Sequence, residues 1–392
     1  MKSKILKLGL KDTKGSILYH SFNHHPIKTL LISFKNERRV LSTREGFKEV
    51  KAVGNNSNPP PLWDLACENW DKYLHEVVND LGYREKDIAL LSTGVDIDNL
   101  EMEEEEFGEF KVICLATAGV ASNAQRSAED TTKNYEKDGK FFKLGTINII
   151  LLTNASLSDG ALSRAIITIT EAKTKALQDL DIRSSYTPLI NQATGTGTDN
   201  IIVVSGEGAK INYVGGHTKM GESIARVTAK TVKKAILKQN GLSPSRSLQE
   251  RLKERGITLN SLIQTGLEMY IPDSRIGDKE KVEKLLREEF SIILKDINVV
   301  SLILAGLKLE EEGQTGSLCE LPEEEYRKDP VYLIADEILG IQIATYIGGT
   351  RALFEFARFD REKPGILKTL PPFLDDVMGG LISGVMVKVC SR

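Results

Sequence analysis

Apolar and polar positions alternate in short runs through residues 1–53 (KILKLGL, SILYH, TLLISF, RRVLST), a period of two that predicts a meander of strands. The period then changes. Trp63, Ala66, Trp70, Leu74, Val77, Val78 and Leu81 recur at helical spacing and stop at Gly82, which predicts a helix with both tryptophans in the core. Residues 88–92 and 112–116 read as buried strands, separated by the acidic run EMEEEE at 101–106, a solvated loop or hairpin arm. Two further β-branched runs, 147–152 and 201–204, are each followed by a turn and a long helical stretch. They form a doubled strand-loop-helix unit, with helices expected over 159–180, capped by Ser158 or Asp159, and over 218–239.

After NGLSPSRS at 240–247 every apolar stretch has the helical period. The pattern therefore predicts two domains, an N-terminal α/β domain with a mixed sheet and packed helices (1–240) and a C-terminal all-α helical bundle (251–392). A Pro- and Gly-containing linker at 241–250 joins them.

Composition changes this picture little. Apolar residues make up 41% and charged residues 27% of 392, and the formal net charge of −3 lacks the basic excess of a nucleic-acid binder. Cys67, Cys114, Cys319 and Cys390 lie too far apart for a zinc site and fit a reduced, cytoplasmic compartment. No segment reaches the ~18 uninterrupted apolar residues of a membrane span, so a soluble protein acting on small molecules, without membrane insertion and with a homo-oligomer left open, is expected.

Candidate chemistry lies in two places. The loops around the doubled unit are dense in Gly, Thr, Asn and Asp, more than packing requires. Thr117, Gly195, Gly197, Gly215 and Gly216 are the expected substrate-cradling positions. GTGTD at 195–199 precedes a strand rather than opening a helix, which argues against a phosphate loop and leaves Asp199 unexplained by a tight turn. His217 stands just before a helix N-terminus, where the dipole favours a neutral imidazole able to act as general base; a plain turn histidine is the competing reading. Arg164, Thr168, Glu171 and Lys175 share a helical stripe, either a solvated face or one that presents Glu171 to a site. His20, His24 and His25 carry no accompanying carboxylate in sequence and read as surface or turn residues.

The helical half offers Asp336-Glu337, Asp360 and Asp375-Asp376 with Lys363. These carboxylates suit Mg²⁺ and phosphate chemistry, with solvated helix ends as the alternative.

The loop motifs are also long enough to carry a resemblance. ATAG (116–119), GTINIILL (145–152), LSDGAL (157–162), TEAKTKALQD (170–179), ATGTGTD (193–199) and GGHTKMGE (215–222) make residues 37–241 similar to the adenosylcobinamide amidohydrolase family. DEILG (336–340), FDREKPGI (359–366) and FLDDVMGG (373–380) make residues 251–392 similar to the soluble branch of the phosphatidylglycerophosphatase A-like family, which includes archaeal α-ribazole-phosphate phosphatases. Lys295-Asp296-Ile297-Asn298 departs from the Lys-Arg-Glu-Val stretch of soluble relatives.

The resemblance implies two hydrolyses in cobamide metabolism. One cleaves the aminopropanol amide of adenosylcobinamide to adenosylcobyric acid, and the other removes phosphate from α-ribazole phosphate. For the first, the residues offer His217 as base, Asp199 or Glu171 as orienter or acid, and Asn148 with loop amides as oxyanion donors; the nucleophile stays open. For the second they offer Mg²⁺ on the acidic cluster, with Lys363 meeting a phosphate oxygen. The competing readings are a corrinoid carrier without turnover and a lipid phosphatase.

Overall fold

One nine-stranded sheet, folded back on itself, organises the first half of the chain. The computed structural model describes residues 2–62, 70–131 and 146–391. Strands β1 (Lys2–Leu6), β2 (Thr13–Phe22), β3 (His25–Ser42) and β4 (Gly46–Ser57) form the predicted antiparallel meander. Asn23 and His24, both with positive φ, make the two-residue turn of the β2–β3 hairpin, where short polar residues tolerate that backbone. After helix α1 (Trp70–Asp80), β5 (Ile88–Thr93) adds in parallel to β4. The predicted start of this helix and Trp63 lie outside the described residues.

The other half of the sheet contains β6 (Glu101–Phe107), β7 (Phe110–Ala118), β9 (Ile147–Thr153) and β12 (Asn200–Val204). Its order is β12-β9-β7-β6, with β9 and β12 parallel and β12 antiparallel to the far end of β3. β8 (Ala124–Gln125) pairs with β11 (Gly195–Thr196), and β10 (Ser156–Leu157) with β13 (Lys210–Ile211). Helices α2 (Asp159–Asp179) and α3 (Lys219–Asn240) follow β10 and β13, so the doubled strand-loop-helix unit is present. Ser158 accepts from Ala161 N and Thr218 from Gly221 N as N-caps, and Gly241 ends α3 at φ 71°. Tertiary packing overrides the β-branched IITIT run in α2: Thr168 and Ile169 are buried, and Thr168 Oγ1 donates to Val214 O at 3.0 Å.

Side-chain alternation then builds four layers. Leu30, Ile32, Val53 and Leu91 from one half pack against Ile113, Leu115, Ile150 and Ile202 from the other, filling the space between the two sheet halves. The outward residues Ile149, Leu151 and Val203 pack under α2 and α3, while Ala52, Ile88 and Leu90 pack under α1. Each fully buried Leu or Ile contributes about 1.5–3 kcal/mol.

The acidic run is β6, an arm of a hairpin. Lys230 meets Glu103 at 2.5 Å, Lys234 also pairs with Glu103, and Arg226 meets Glu105 at 2.6 Å, so α3 neutralises this edge rather than leaving it solvated.

The chain forms two compact units, Met1–Thr187 with Gln192–Pro244, and Pro188–Asn191 with Ser245–Arg392. The second unit contains α4 (Leu248–Glu254), α5 (Leu259–Met269), α6 (Lys279–Ile293), α7 (Ile297–Gln314), α8 (Glu323–Tyr326), α9 (Ala335–Gly348), α10 (Arg351–Glu362) and α11 (Pro372–Cys390). α11 is buried along nearly its whole length and forms the axis of this unit. Among the described residues no single helix is long and apolar enough to cross a membrane.

Candidate functional sites

The space between the sheet halves is apolar except at one end, where β4, β5, β7 and β9 contribute buried polar side chains. Asn55 Nδ2 donates to Thr117 Oγ1 at 3.0 Å, and Asn148 Nδ2 donates to Asn55 Oδ1 and to Ser92 O, both at 2.8 Å. Thr146 Oγ1 donates toward Asn148 Oδ1 (3.1 Å) and Thr198 O. Asn55, Asn58, Thr93, Thr117, Thr146 and Asn148 are all buried there. Buried polar groups cost free energy unless paired, so a cluster this large at the end of an apolar core needs a reason beyond packing.

Asp199 anchors the neighbouring loop. Its carboxylate accepts from Ile147 N (3.0 Å), Thr196 N (3.1 Å) and Thr196 Oγ1 (2.5 Å), and pairs with Lys173 of α2. It thereby ties the start of β9, the GTGTD turn and α2 together, which explains an aspartate that a tight turn alone did not. Gly195 lies directly beneath the Lys173–Asp199 pair, and a Cβ on Gly197 would meet Gln125 Oε1 at 3.4 Å.

The structure does not bring the expected catalytic set together. Asp199 precedes β12 and His217 follows it, so the two stand at opposite ends of that strand. Along α2 the neighbours of each are Lys173 and Arg164, nine residues or about 13 Å apart. His217 is exposed, with its ring and Arg164 both close to Gly215; Gly216 is exposed beside it. Glu171 is exposed on α2, whereas Lys173, two residues on, is buried. Asn148 commits both amide hydrogens inside the protein, which leaves none for an oxyanion. Thr117, in contrast, lies within the polar end.

Asn55, Asn58, Thr93, Thr146 and Lys173 were missed in sequence. The run NNSN at 55–58, ending a strand in consecutive small polar residues, was the available signal. His20 was read as lacking a carboxylate, yet its Nδ1 lies 2.8 Å from Asp80 Oδ2 and its Nε2 2.9 Å from Thr29 Oγ1. That carboxylate lies 60 residues away at the end of α1, where only the fold could place it. His24 occupies the hairpin turn, with His25 next to it.

In the helical unit, Gly340 of α9 and Gly380 of α11 let the two backbones touch: a Cβ on Gly380 would lie 2.2 Å from Gly340 O. One turn earlier on each helix stand Asp336 and Asp376. With Glu337 they can offer three ligand oxygens all within 4.8 Å of one another. Lys363, at the C-terminal end of α10 with φ 43°, meets Asp375 at 2.6 Å, Asp360 at 2.8 Å and Asp376 at 3.7 Å. Burial pushes Asp336 and Asp376 well above the usual carboxylate range, reinforced by Glu337 at the first and Asp375 at the second. Burial likewise raises Asp375 to about 6 against the opposing effect of Lys363.

Among the described residues, one oxygen of each of Asp336, Glu337, Asp375 and Asp376 is buried without a hydrogen-bond partner. Such orphaned oxygens fit a divalent cation. Asp329, missed in sequence, joins this electrostatic environment, and its carboxyl is raised chiefly by burial.

Comparison with known proteins decides the first unit. A family model described as adenosylcobinamide amidohydrolase matches residues 15–244. The chain belongs to the adenosylcobinamide amidohydrolase family. It is 31% identical over 223 residues to the adenosylcobinamide amidohydrolase of Methanosarcina mazei, covering 54% of this chain and 96% of that protein. An uncharacterized protein of Methanocaldococcus jannaschii is 54% identical over 224 residues (54% of this chain, 87% of that protein). A second uncharacterized protein of the same organism is 36% identical over 133 residues (32% and 98%). Membership assigns a cobamide-related amidohydrolase, hence a hydrolase, to the chain.

Proposed function

We propose that the first unit hydrolyses the aminopropanol amide of adenosylcobinamide to adenosylcobyric acid at the polar end of the sandwich. The observation that carries this placement is the buried Asn55, Thr117, Thr146 and Asn148 cluster at the end of an otherwise apolar interior. Amide hydrolysis needs a nucleophile, donors for the developing oxyanion and a proton for the leaving amine, all held in place. Asp199 fixes the peptide between Thr146 and Ile147, and Lys173 neutralises Asp199, so both are positioning residues. Gly195 and Gly197 keep the loop close to this pair. His217, Gly215 and Gly216 stand at the other end of β12, where they are available to a distant part of a ligand as large as a corrinoid.

For the helical unit we propose phosphate release from α-ribazole phosphate. Asp336, Glu337 and Asp376 would hold Mg²⁺, which supplies charge neutralisation for a dianionic phosphate ester. Lys363, restrained by Asp360 and Asp375, offers its ammonium to a phosphate oxygen. The orphaned carboxylate oxygens support this reading.

One experiment addresses both proposals: incubate the purified protein with adenosylcobinamide and, separately, with α-ribazole phosphate and Mg²⁺, and identify the products by mass. Binding of the corrinoid without adenosylcobyric acid would leave a carrier. Phosphate release from phosphatidylglycerophosphate vesicles, but not from α-ribazole phosphate, would make the second unit a lipid phosphatase.

A further inference from the structure

Helix α11 carries Asp375 and Asp376, and its own sequence cannot cap its start. Pro371 stands at the N-cap with no side-chain acceptor, and Pro372, the first helical residue, has no N–H. The first amide the helix leaves unpaired at that end is Phe373 N, and Phe373 is buried. Its partner comes from another helix: Glu310 of α7 accepts from Phe373 N through Oε2 at 3.1 Å. The second oxygen, Oε1, accepts from Gln314 Nε2 at 2.9 Å, one turn further along α7. Glu310 is 0% exposed, and no salt bridge among the described residues holds it. A buried carboxylate without a basic partner is costly, so this one needs a reason, and the positive end of α11 supplies the compensating field.

The surroundings of this cap connect it to the acidic cluster. Tyr326 of α8 stacks on Phe373 with ring centroids 6.1 Å apart, and Leu333 and Leu339 pack against the same pair. Leu339 lies three residues beyond Asp336 in α9, and Phe373 three before Asp376 in α11. The two helices that supply the candidate ligand oxygens therefore rest on one small apolar cluster within a turn of those oxygens. Glu310 adds the directed bond that fixes α11 upon it. Asp375 and Asp376 follow the capped amide by two and three residues, about 3–4.5 Å along the axis, so a shift of that turn passes directly to their carboxylates.

Resting on the phosphatase reading of the helical unit, we propose that Glu310 is a positioning residue for that site: by capping α11 it sets where Asp376 stands against Asp336 and Glu337, and where Asp375 meets Lys363. It touches neither ion nor substrate. Mg²⁺ demands near-ideal octahedral distances, so ligand oxygens displaced by a few tenths of an ångström bind it less well.

The test is isothermal titration of the full-length protein with MgCl₂ alone. Glu310→Leu leaves Phe373 N buried without an acceptor and should weaken Mg²⁺ binding by about 10- to 100-fold. Glu310→Gln keeps a carbonyl oxygen for Phe373 N, and Gln314 can turn its amide to accept from the new NH₂, so affinity should stay within about threefold of wild type. Burial raises the Glu310 carboxyl above its ordinary range, which suits an uncharged amide to the same place. Gln314→Ala removes only the orienting bond and should weaken binding by about two- to tenfold, which keeps the idea open to refutation if Glu310→Leu fails to fold. Val282→Ala is the control for lost stability. It opens the core at α6, whose Glu289 pairs with Lys388, twelve residues along α11 from Asp376, and it should leave Mg²⁺ affinity unchanged. Wild-type affinity in Glu310→Leu and Gln314→Ala overturns the proposal, as does a loss in Val282→Ala equal to that in Glu310→Leu. Wild-type protein that binds Mg²⁺ but releases no phosphate from α-ribazole phosphate would defeat the phosphatase reading, while the variants still decide the role of Glu310. Wild-type protein that binds no Mg²⁺ overturns both.

Discussion

Lys173 and Asp199 meet directly over the α-carbon of Gly195: a Cβ built there would lie 2.7 Å from both the ammonium nitrogen and a carboxylate oxygen. Both side chains are largely buried, so removing one partner strands the other charge. Lys173→Met and Asp199→Asn should each destabilise the first unit by about 3–5 kcal/mol. The double substitution should cost less than the sum of the two, because neither variant then leaves a buried charge unpaired. Urea unfolding followed by circular dichroism measures this, and strict additivity would show that the two residues act independently.

His217→Ala should leave amide turnover within about tenfold of wild type, because the ring is exposed and stands across β12 from the polar end. Initial rates on adenosylcobinamide decide it. A drop of the ~10²- to 10⁴-fold typical of a lost acid-base group would restore His217 as the base.

The acidic cluster predicts a pH-dependent response to Mg²⁺. Asp336, Asp375 and Asp376 have folded-state values raised above their unfolded ones. In ion-free protein their contribution to stability is therefore full below about pH 4 and is lost as pH rises through the raised values. A bound cation favours the ionised forms, so the increase in Tm on adding Mg²⁺ should be larger at pH 8 than at pH 5, as differential scanning calorimetry would show. Chelator should abolish phosphate release, and Asp376→Asn should be partly rescued by excess Mg²⁺. Full phosphatase rate in metal-free protein would end the assignment.

Gly380→Ala should separate α9 from α11, because its Cβ would overlap the carbonyl of Gly340. Overpacking of this kind costs about 1–3 kcal/mol, and moving Asp376 away from Asp336 should weaken Mg²⁺ binding by isothermal titration. Unchanged affinity would mean that the helices accommodate the methyl group without shifting.

Periodicity reveals elements better than it reveals sites. The meander, the doubled strand-loop-helix unit and the helical second half follow from runs of period two and 3.6, because each element buries its own face. The polar end of the sandwich escapes such reading. Asn55 and Asn148 are 93 positions apart and meet only because β4 and β9 belong to facing halves of a folded sheet. Lys173 looked like one of several lysines on a polar helix, yet the burial of α2 turns that single side chain inward. The acidic cluster was more legible, since Asp336 and Asp376 each precede their contact glycine by one helical turn. His217 stands apart from Asp199 because β12 directs GTGTD and GGHTKMGE, 20 residues apart in sequence, to opposite ends.

β3 joins both halves of the sheet, pairing with β2 near its start, with β4 at both of its ends, and with β12 at Ser42↔Ile202, partners 160 positions apart. Closing so long a loop is slow, so the inward faces of β2 to β5 stay open to solvent until the chain through residue 204 has been made. The same arrangement interlocks the chain. β9 and β12 lie between β3 and β7, so a nick anywhere from β8 to β9 leaves the downstream piece hydrogen-bonded to the upstream piece along both of its flanks. Such a nicked molecule would run as one particle on a sizing column and come apart only in denaturant.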